Sequence, residues 1–272
     1  MNTIQITIQA LETKQEILIS LLADLGAQGF EQTAESLIAY FPETGFNGPD
    51  VEAVLQGMAF HRETLEERNW NAVWESNFEP VTIAGFCMVR AEFHPVSASV
   101  EHDIVITPKM SFGTGHHATT YMMIQHMRDM DFQQKSVFDF GTGTGILAIL
   151  AEKLGAAYVE AIDTDPWSVA NATENTGRNN CAHFRIALSS ELPPQAFDVI
   201  LANINRNVIL DYLPQLRAAL TKEGRLLLSG LLSTDEKDIV EACIQEGLEL
   251  LNRSERSNWI SLLFRQSTSN PR

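Results

Sequence analysis

The chain is short of cysteine, of positive charge and of long apolar runs. Cys87, Cys181 and Cys243 are odd in number, far apart and never in a Cys-x-x-Cys pair. That argues against a disulfide framework and against a zinc ribbon, and buried free thiols are expected. Only 19 lysines and arginines stand against 35 aspartates and glutamates, a formal net charge of −16. No basic cluster runs along a predicted face, and the charge would repel a phosphate backbone, so direct nucleic-acid binding is not expected. The acidic excess fits plain solubility, and it equally fits a basic protein partner whose encounter rate complementary charge would raise. No apolar run approaches the roughly 18 to 20 residues of a membrane helix. The start, MNTIQITIQALETKQEILIS, lacks a basic segment followed by an apolar core. A cytoplasmic protein without membrane attachment is expected.

What is present is an ordinary globular composition, 44% hydrophobic and 20% charged, over 272 residues. That length holds one full α/β domain and a smaller companion. The chain is organised around one stretch. Val137 to Phe140 is a short apolar run broken by Asp139. Gly141, Gly143 and Gly145 then alternate with threonines, and Ile146 to Leu154 is apolar and helix-forming. This predicts strand, glycine turn, helix. A second apolar run, Tyr158 to Ile162, ends in Asp163, which is placed to accept the two ribose hydroxyls of a nucleoside ligand. A nicotinamide or flavin dinucleotide site would want a small residue where Ile146 stands. Gly-x-Gly-x-Gly preceded by Asp139 is instead the pattern of S-adenosylmethionine-dependent methyltransferases. A tight turn without a ligand is the competing interpretation.

In chain order, Thr3 to Ile8 alternates like a strand, and Ile17, Leu18, Leu21, Leu22 and Leu25 have helical spacing. Phe30 to Thr33 with Leu37 to Phe41 suggest a hairpin, and Val51 to Phe60 a second helix. This order predicts a ferredoxin-like α+β unit over residues 1–60. Residues 61–80 are expected to form a helical linker, with Trp70, Trp74 and Phe78 on one face, either packed or lining the approach to a site between domains. Two strands around Gly85 and one at Ile104 to Thr107 lead into the loop KMSFGTGHHATT, whose hydroxyls and free amides ahead of a helix at Thr119 to Met127 offer a polar binding surface. His116 and His117 are adjacent and cannot easily share one ion, so no metal is expected. Beyond the glycine turn, helices at Pro166 to Asn175, Val208 to Leu220 and Asp235 to Glu246 alternate with strands at His183 to Leu188, Phe197 to Ile204 and Leu226 to Gly230. That alternation predicts a parallel, doubly wound sheet over 81–272. Leu248 to Asn252 and Trp259 to Phe264 have no helix between them and should add an antiparallel edge pair. Gly141, Asp163 and Asn203 lie at carboxyl ends of strands, where such sheets bind ligands. Asn203 is also explicable as a residue capping its strand.

The segments FDFGTGTGILAILAEKLGA, AIDTDP, FDVILANINRN, SFGTGHHATT, LEERNWNAVWESNFEP and GRLLLSGLL resemble the PrmA family, bacterial methyltransferases of the eleventh large-subunit ribosomal protein. The resemblance covers nearly the whole chain and implies a class I, Rossmann-like methyltransferase sheet of seven strands. By it, Thr120, Gly141, Asp163 and Asn203 are the cofactor-contacting positions. Gly143 of the turn and Phe112 and Thr114 of the loop are expected to join them around S-adenosyl-L-methionine. The amino-terminal unit would recognise the basic ribosomal protein, free of the ribosome or during its assembly, and the linker would reorient a monomeric enzyme. Lys109 and His117 depart from the family's usual glycine and proline.

The implied reaction is methyl transfer to lysine side chains and the amino-terminal amine, with Asn203 as the catalytic residue that aims the nitrogen lone pair. A planar amine would profit from an aromatic partner after the asparagine, and Ile204 and Asn205 supply none, which favours an aliphatic amine. A small-molecule N-methyltransferase with an accessory domain and a non-catalytic scaffold that keeps the fold are the alternatives.

Overall fold

The computed structural model describes residues 2–33, 35–55, 57–65, 78–83, 85–96, 99–108 and 114–267. The chain divides into two compact units, Met1–Val73 and Trp74–Arg272.

In the first unit, β1 (Thr3–Gln9), α1 (Glu12–Asp24), β2 (Gly29–Gln32), β3 (Ser36–Pro42), α2 (Gly48–Val54) and β4 (Phe60–Leu65) follow one another. The sheet order is β2-β3-β1-β4, antiparallel throughout. Alternation in β1 buries Ile4, Ile6 and Ile8, while β3 buries Leu37, Ala39 and Phe41 on the same core. Leu18 and Leu22 of α1 complete it, whereas Ile17 and Leu21 remain exposed. The fourth strand overturns the expectation that the linker begins at residue 61. β4 pairs with β1 from Ile8↔Phe60 to Thr3↔Leu65. All six of its residues are exposed, so it is held by backbone bonds and carries no burial pattern for a sequence to show. The second helix starts earlier than expected, with Pro49 in its first turn, and stops at Val54. Trp70 and Trp74 of the expected linker lie outside the described residues.

In the second unit, β5 (Val81–Ile83), β6 (Cys87–Arg90) and β7 (His102–Val105) form a small separate sheet. It is followed by α3 (Ala118–Arg128), β8 (Ser136–Phe140), α4 (Ile146–Lys153), β9 (Tyr158–Asp163), α5 (Pro166–Arg178), β10 (Phe184–Leu188), β11 (Phe197–Asn203), α6 (Arg206–Ala218), β12 (Leu220–Leu232), α7 (Glu236–Gln245), β13 (Leu248–Arg256) and β14 (Trp259–Gln266). The large sheet runs β10-β9-β8-β11-β12-β14-β13. Its first five strands are parallel, and β14 is antiparallel to both β12 and β13. Both faces are covered. Val137, Val199 and Leu201 enter the core under α3 and α4, while Phe138, Ile200 and Ala202 enter the core under α6 and α7. Strand order reverses between β8 and β11, which opens a crevice at their carboxyl ends. Cys87 and Cys243 are buried free thiols whose pKa burial pushes up to about 12, so they stay protonated.

Candidate active site

The turn after β8 is built by hydrogen bonds that leave its backbone bare toward the crevice. Gly141, Gly143 and Gly145 have φ of 77°, 56° and 80°, a region that costs other residues roughly 1 to 2 kcal/mol. The amides of Gly141 and Thr142 both donate to the Ile162 carbonyl at 3.0 Å. The Thr142 hydroxyl donates to Asp139 Oδ2 at 2.6 Å. Asp139 is buried under the turn, and desolvation, with the Asp163 charge adding to it, raises its pKa to about 7. A Cβ on Gly141 would stand 2.4 Å from Ile204 Cγ2, so the approach of the β8 turn to the end of β11 requires glycine.

Asp163 closes β9 with both oxygens engaged: Oδ2 accepts from the Gly143 amide at 2.9 Å and Oδ1 from the Asp165 amide at 3.0 Å. A carboxylate has about four lone-pair positions, so each oxygen keeps capacity for one more donor. That fits a pair of vicinal hydroxyls.

Asn203 ends β11 and is buried. Its Nδ2 donates to the Thr120 hydroxyl on α3 at 3.2 Å, while its Oδ1 is buried without a partner. A buried acceptor left open costs on the order of 1 to 3 kcal/mol, a cost that binding a donor would relieve. Gly230 of β12 lies behind it with φ 83°, and a Cβ there would meet the Ile204 carbonyl oxygen at 2.2 Å.

These groups line one cavity of about 480 Å³, among them Thr120, Gly141, Gly143, Asp163 and Asn203, with Ile146, Leu147 and Ile162 as apolar walls. Its size falls within the roughly 300 to 1,000 Å³ of small-molecule pockets. Thr114 is not in the lining; its hydroxyl pairs with the His116 ring at 3.2 Å. Phe112 and Lys109 lie outside the described residues. Among the described residues no group of three or more His, Cys, Asp or Glu side chains could hold a metal.

Two lining residues, His117 and Trp259, are not among the expected cofactor contacts. His117 caps α3, its Nδ1 2.7 Å from the Thr119 hydroxyl, and burial lowers its pKa. Its ring meets Trp259 edge to face at 4.7 Å. Trp259 thus supplies the aromatic wall that the residues after Asn203 lack. It arrives from β14, far along the chain, where only the pairing of β14 with β12 brings it to the crevice.

A glycine turn, a carboxylate with spare acceptor capacity and an open asparagine oxygen thus meet in one cavity at the switch point of the sheet. Residues 48–267 match the family described as Ribosomal protein L11 methyltransferase (PrmA). The chain belongs to this family. Its relatives include the Ribosomal protein L11 methyltransferase of Porphyromonas gingivalis, 40% identical over 267 residues, covering 93% of this chain and 91% of that one. The protein of the same name from Chlorobaculum tepidum is 36% identical, with 86% of each chain covered. A crystal structure of ribosomal protein L11 methylase from Lactobacillus delbrueckii subsp. bulgaricus superposes with a TM-score of 0.65 at 28% identity, over 70% of this chain and all of that one. This family member therefore places the glycine turn, the β9 acid and the β11 asparagine on a mixed α/β methyltransferase sheet.

Proposed function

We propose that this chain transfers methyl groups from S-adenosylmethionine to amines of ribosomal protein L11. The observation that carries this most directly is the buried, open Oδ1 of Asn203 in the cavity that Gly141, Gly143 and Asp163 also line. Asp163 would hold the nucleoside, and the turn, free of side chains at its glycines, lets backbone come close to it.

When bound, the cofactor supplies an electrophilic methyl on a sulfonium sulfur, so the protein's work is orientation and exclusion of water. A lysine amine must first lose its proton, which costs about 4 to 5 kcal/mol at pH 7. Desolvation in the cavity and the neighbouring cation lower that cost. Asn203 accepts a hydrogen bond from the neutral amine and turns its lone pair toward the methyl carbon, while Thr120 holds the amide in that orientation. Targets are lysine side chains together with the amino-terminal amine.

The finer assignments belong to the same proposal. The first unit, whose order β4-β1-β3-β2 with one helix in each crossover is that of a ferredoxin-like fold, recognises the substrate protein, and the net charge of −16 favours a basic one. The second unit, with its seven-stranded sheet, is the class I methyltransferase domain. The enzyme acts as a cytoplasmic monomer on free L11, without membrane or direct nucleic-acid contact. Purified chain, labelled S-adenosylmethionine and purified L11 test the activity. Label in L11, with mass increments on its amines, is the expected outcome; no label in L11 refutes the proposal.

A further inference from the structure

α5 and its C-cap residue carry three buried asparagines one helical turn apart, Asn171, Asn175 and Asn179. Asn175 Nδ2 donates to the Thr144 carbonyl at 2.8 Å and to Asn171 Oδ1 at 3.1 Å, while its Oδ1 accepts from the Thr107 amide at 2.8 Å. Asn179 behaves as a peptide group would in a sheet: its Oδ1 accepts from the Val105 amide at 3.0 Å and its Nδ2 donates to the Val105 carbonyl at 2.6 Å. The open edge of β7 is thereby paired by helix side chains where a strand would otherwise be needed. The Thr107 hydroxyl adds a bond to Glu174 Oε1 at 2.7 Å. At the other end of the row, Asn171 Nδ2 is buried without a partner.

One side chain therefore spans two backbone segments, the exit of β7 and the glycine turn. Thr144 belongs to the turn whose Gly141 and Gly143 line the cavity, and Thr107 follows directly on β7. α5 also presses on the turn directly, since a Cβ on Gly145 would stand 3.1 Å from the Ala172 Cβ. A side-chain amide with fixed donor and acceptor ends holds two backbones at a set spacing, which neither an apolar side chain nor a carboxylate reproduces.

We propose that Asn175 is a positioning residue for S-adenosylmethionine: it locks the exit of β7 to the glycine turn, so that the wall of the cofactor cavity made by the turn is held at a set spacing from β7. This rests on the cofactor assignment made above. Asn171 orients its amide, and Asn179 anchors the strand to the helix without touching the turn.

The full-length protein tests this by calorimetry with S-adenosylmethionine and by hydrogen–deuterium exchange. In the unmodified protein, the cofactor should slow exchange over residues 102–108 as well as over the turn. Asn175→Asp keeps the acceptor for Thr107 and loses the donor to Thr144. It should weaken cofactor binding tenfold or more and raise KM for the cofactor equally, leave kcat at saturation within about threefold, and abolish the slowing at 102–108. Asn179→Ala should lower the melting temperature but change cofactor affinity less than threefold. Unaltered affinity in Asn175→Asp, equal affinity losses in both variants, or cofactor binding to the unmodified protein without slowing at 102–108 would each overturn the proposal. That last measurement stands even if Asn175→Asp does not fold. An unmodified protein that binds no S-adenosylmethionine refutes the cofactor assignment itself.

Discussion

The amide nitrogen of Asn203 is 3.2 Å from the hydroxyl of Thr120, and that bond decides which end of the asparagine faces the cavity. With the nitrogen committed to α3, the oxygen stays open, and in the proposed mechanism it takes the incoming amine. Asn203→Ala should lower single-turnover rates by about 10 to 100-fold, as expected for one oriented hydrogen bond of roughly 1.5 to 3 kcal/mol, with a smaller loss of cofactor affinity. Asn203→Asp should also be slow, because its charge stabilises the protonated amine. If both variants match the unmodified rate at saturating cofactor, Asn203 only caps its strand.

Asp163 holds two backbone amides as well as facing the cavity. Asp163→Ala should weaken S-adenosylmethionine binding by an order of magnitude or more, since charge-assisted bonds contribute about 1.5 to 3 kcal/mol each. Calorimetry checks this, and unchanged affinity would remove the ribose assignment.

Gly141→Ala should be severely destabilised by the 2.4 Å approach to Ile204 Cγ2. Trimming the neighbour in Gly141→Ala/Ile204→Ala should restore most of the lost stability and leave the positive-φ cost of about 1 to 2 kcal/mol. Gly230→Ala should not be rescued by Ile204→Ala, because the atom it meets is the Ile204 carbonyl oxygen, which alanine keeps. Urea denaturation of the four chains gives the comparison, and rescue of Gly230→Ala would contradict the backbone contact.

Asp139, with its pKa raised by burial to about 7, gives stability a definite pH dependence. The unfolded chain ionises this carboxyl near pH 4 and the folded chain only near 7, so the folded state holds the extra proton between them. Its contribution is complete below about pH 4 and is lost as pH rises to 7, a fall of about 4 kcal/mol. The carboxamide introduced by Asp139→Asn cannot ionise, and its oxygen would still accept from the Thr142 hydroxyl. That variant should therefore gain on the unmodified protein between pH 5 and 8. Parallel stability curves for the two would exclude a buried, late-ionising carboxyl.

Phe78 is buried in the core of the second unit, so a chain shortened to that unit should begin at Trp74, where the unit starts, and not at Val81. Such a chain should bind S-adenosylmethionine with normal affinity and fail to methylate L11. Methylation at the full rate would refute a recognition role for the first unit.

What is legible in the sequence follows burial and local spacing. Val137 to Gly145 and Phe197 to Asn203 are buried strands ending in turn residues, and their apolar runs announce both the strands and the side of the sheet where Gly141, Asp163 and Asn203 meet. β4 escapes such a reading because its six exposed residues show no alternation. Trp259 escapes it because its place depends on pairing between Leu232 and Trp259, a contact that no local pattern records. The asparagine row on α5 has the spacing of an ordinary polar face, and only the backbone of β7 lying against it shows that the face is buried.

The position of β14 between β12 and β13 also sets the order in which the enzyme can mature on the ribosome. β12 is synthesised first and β13 next, yet the two are never neighbours. Until Trp259–Gln266 has emerged, the outer edge of β12 has no partner, and the nascent sheet carries an unpaired edge of the kind that invites wrong pairing. The same late segment brings Trp259 to the cavity wall. Pairing of β14 with β12 thus both covers that edge and brings Trp259 into the cavity lining, so a chain that stops short of Trp259 has neither.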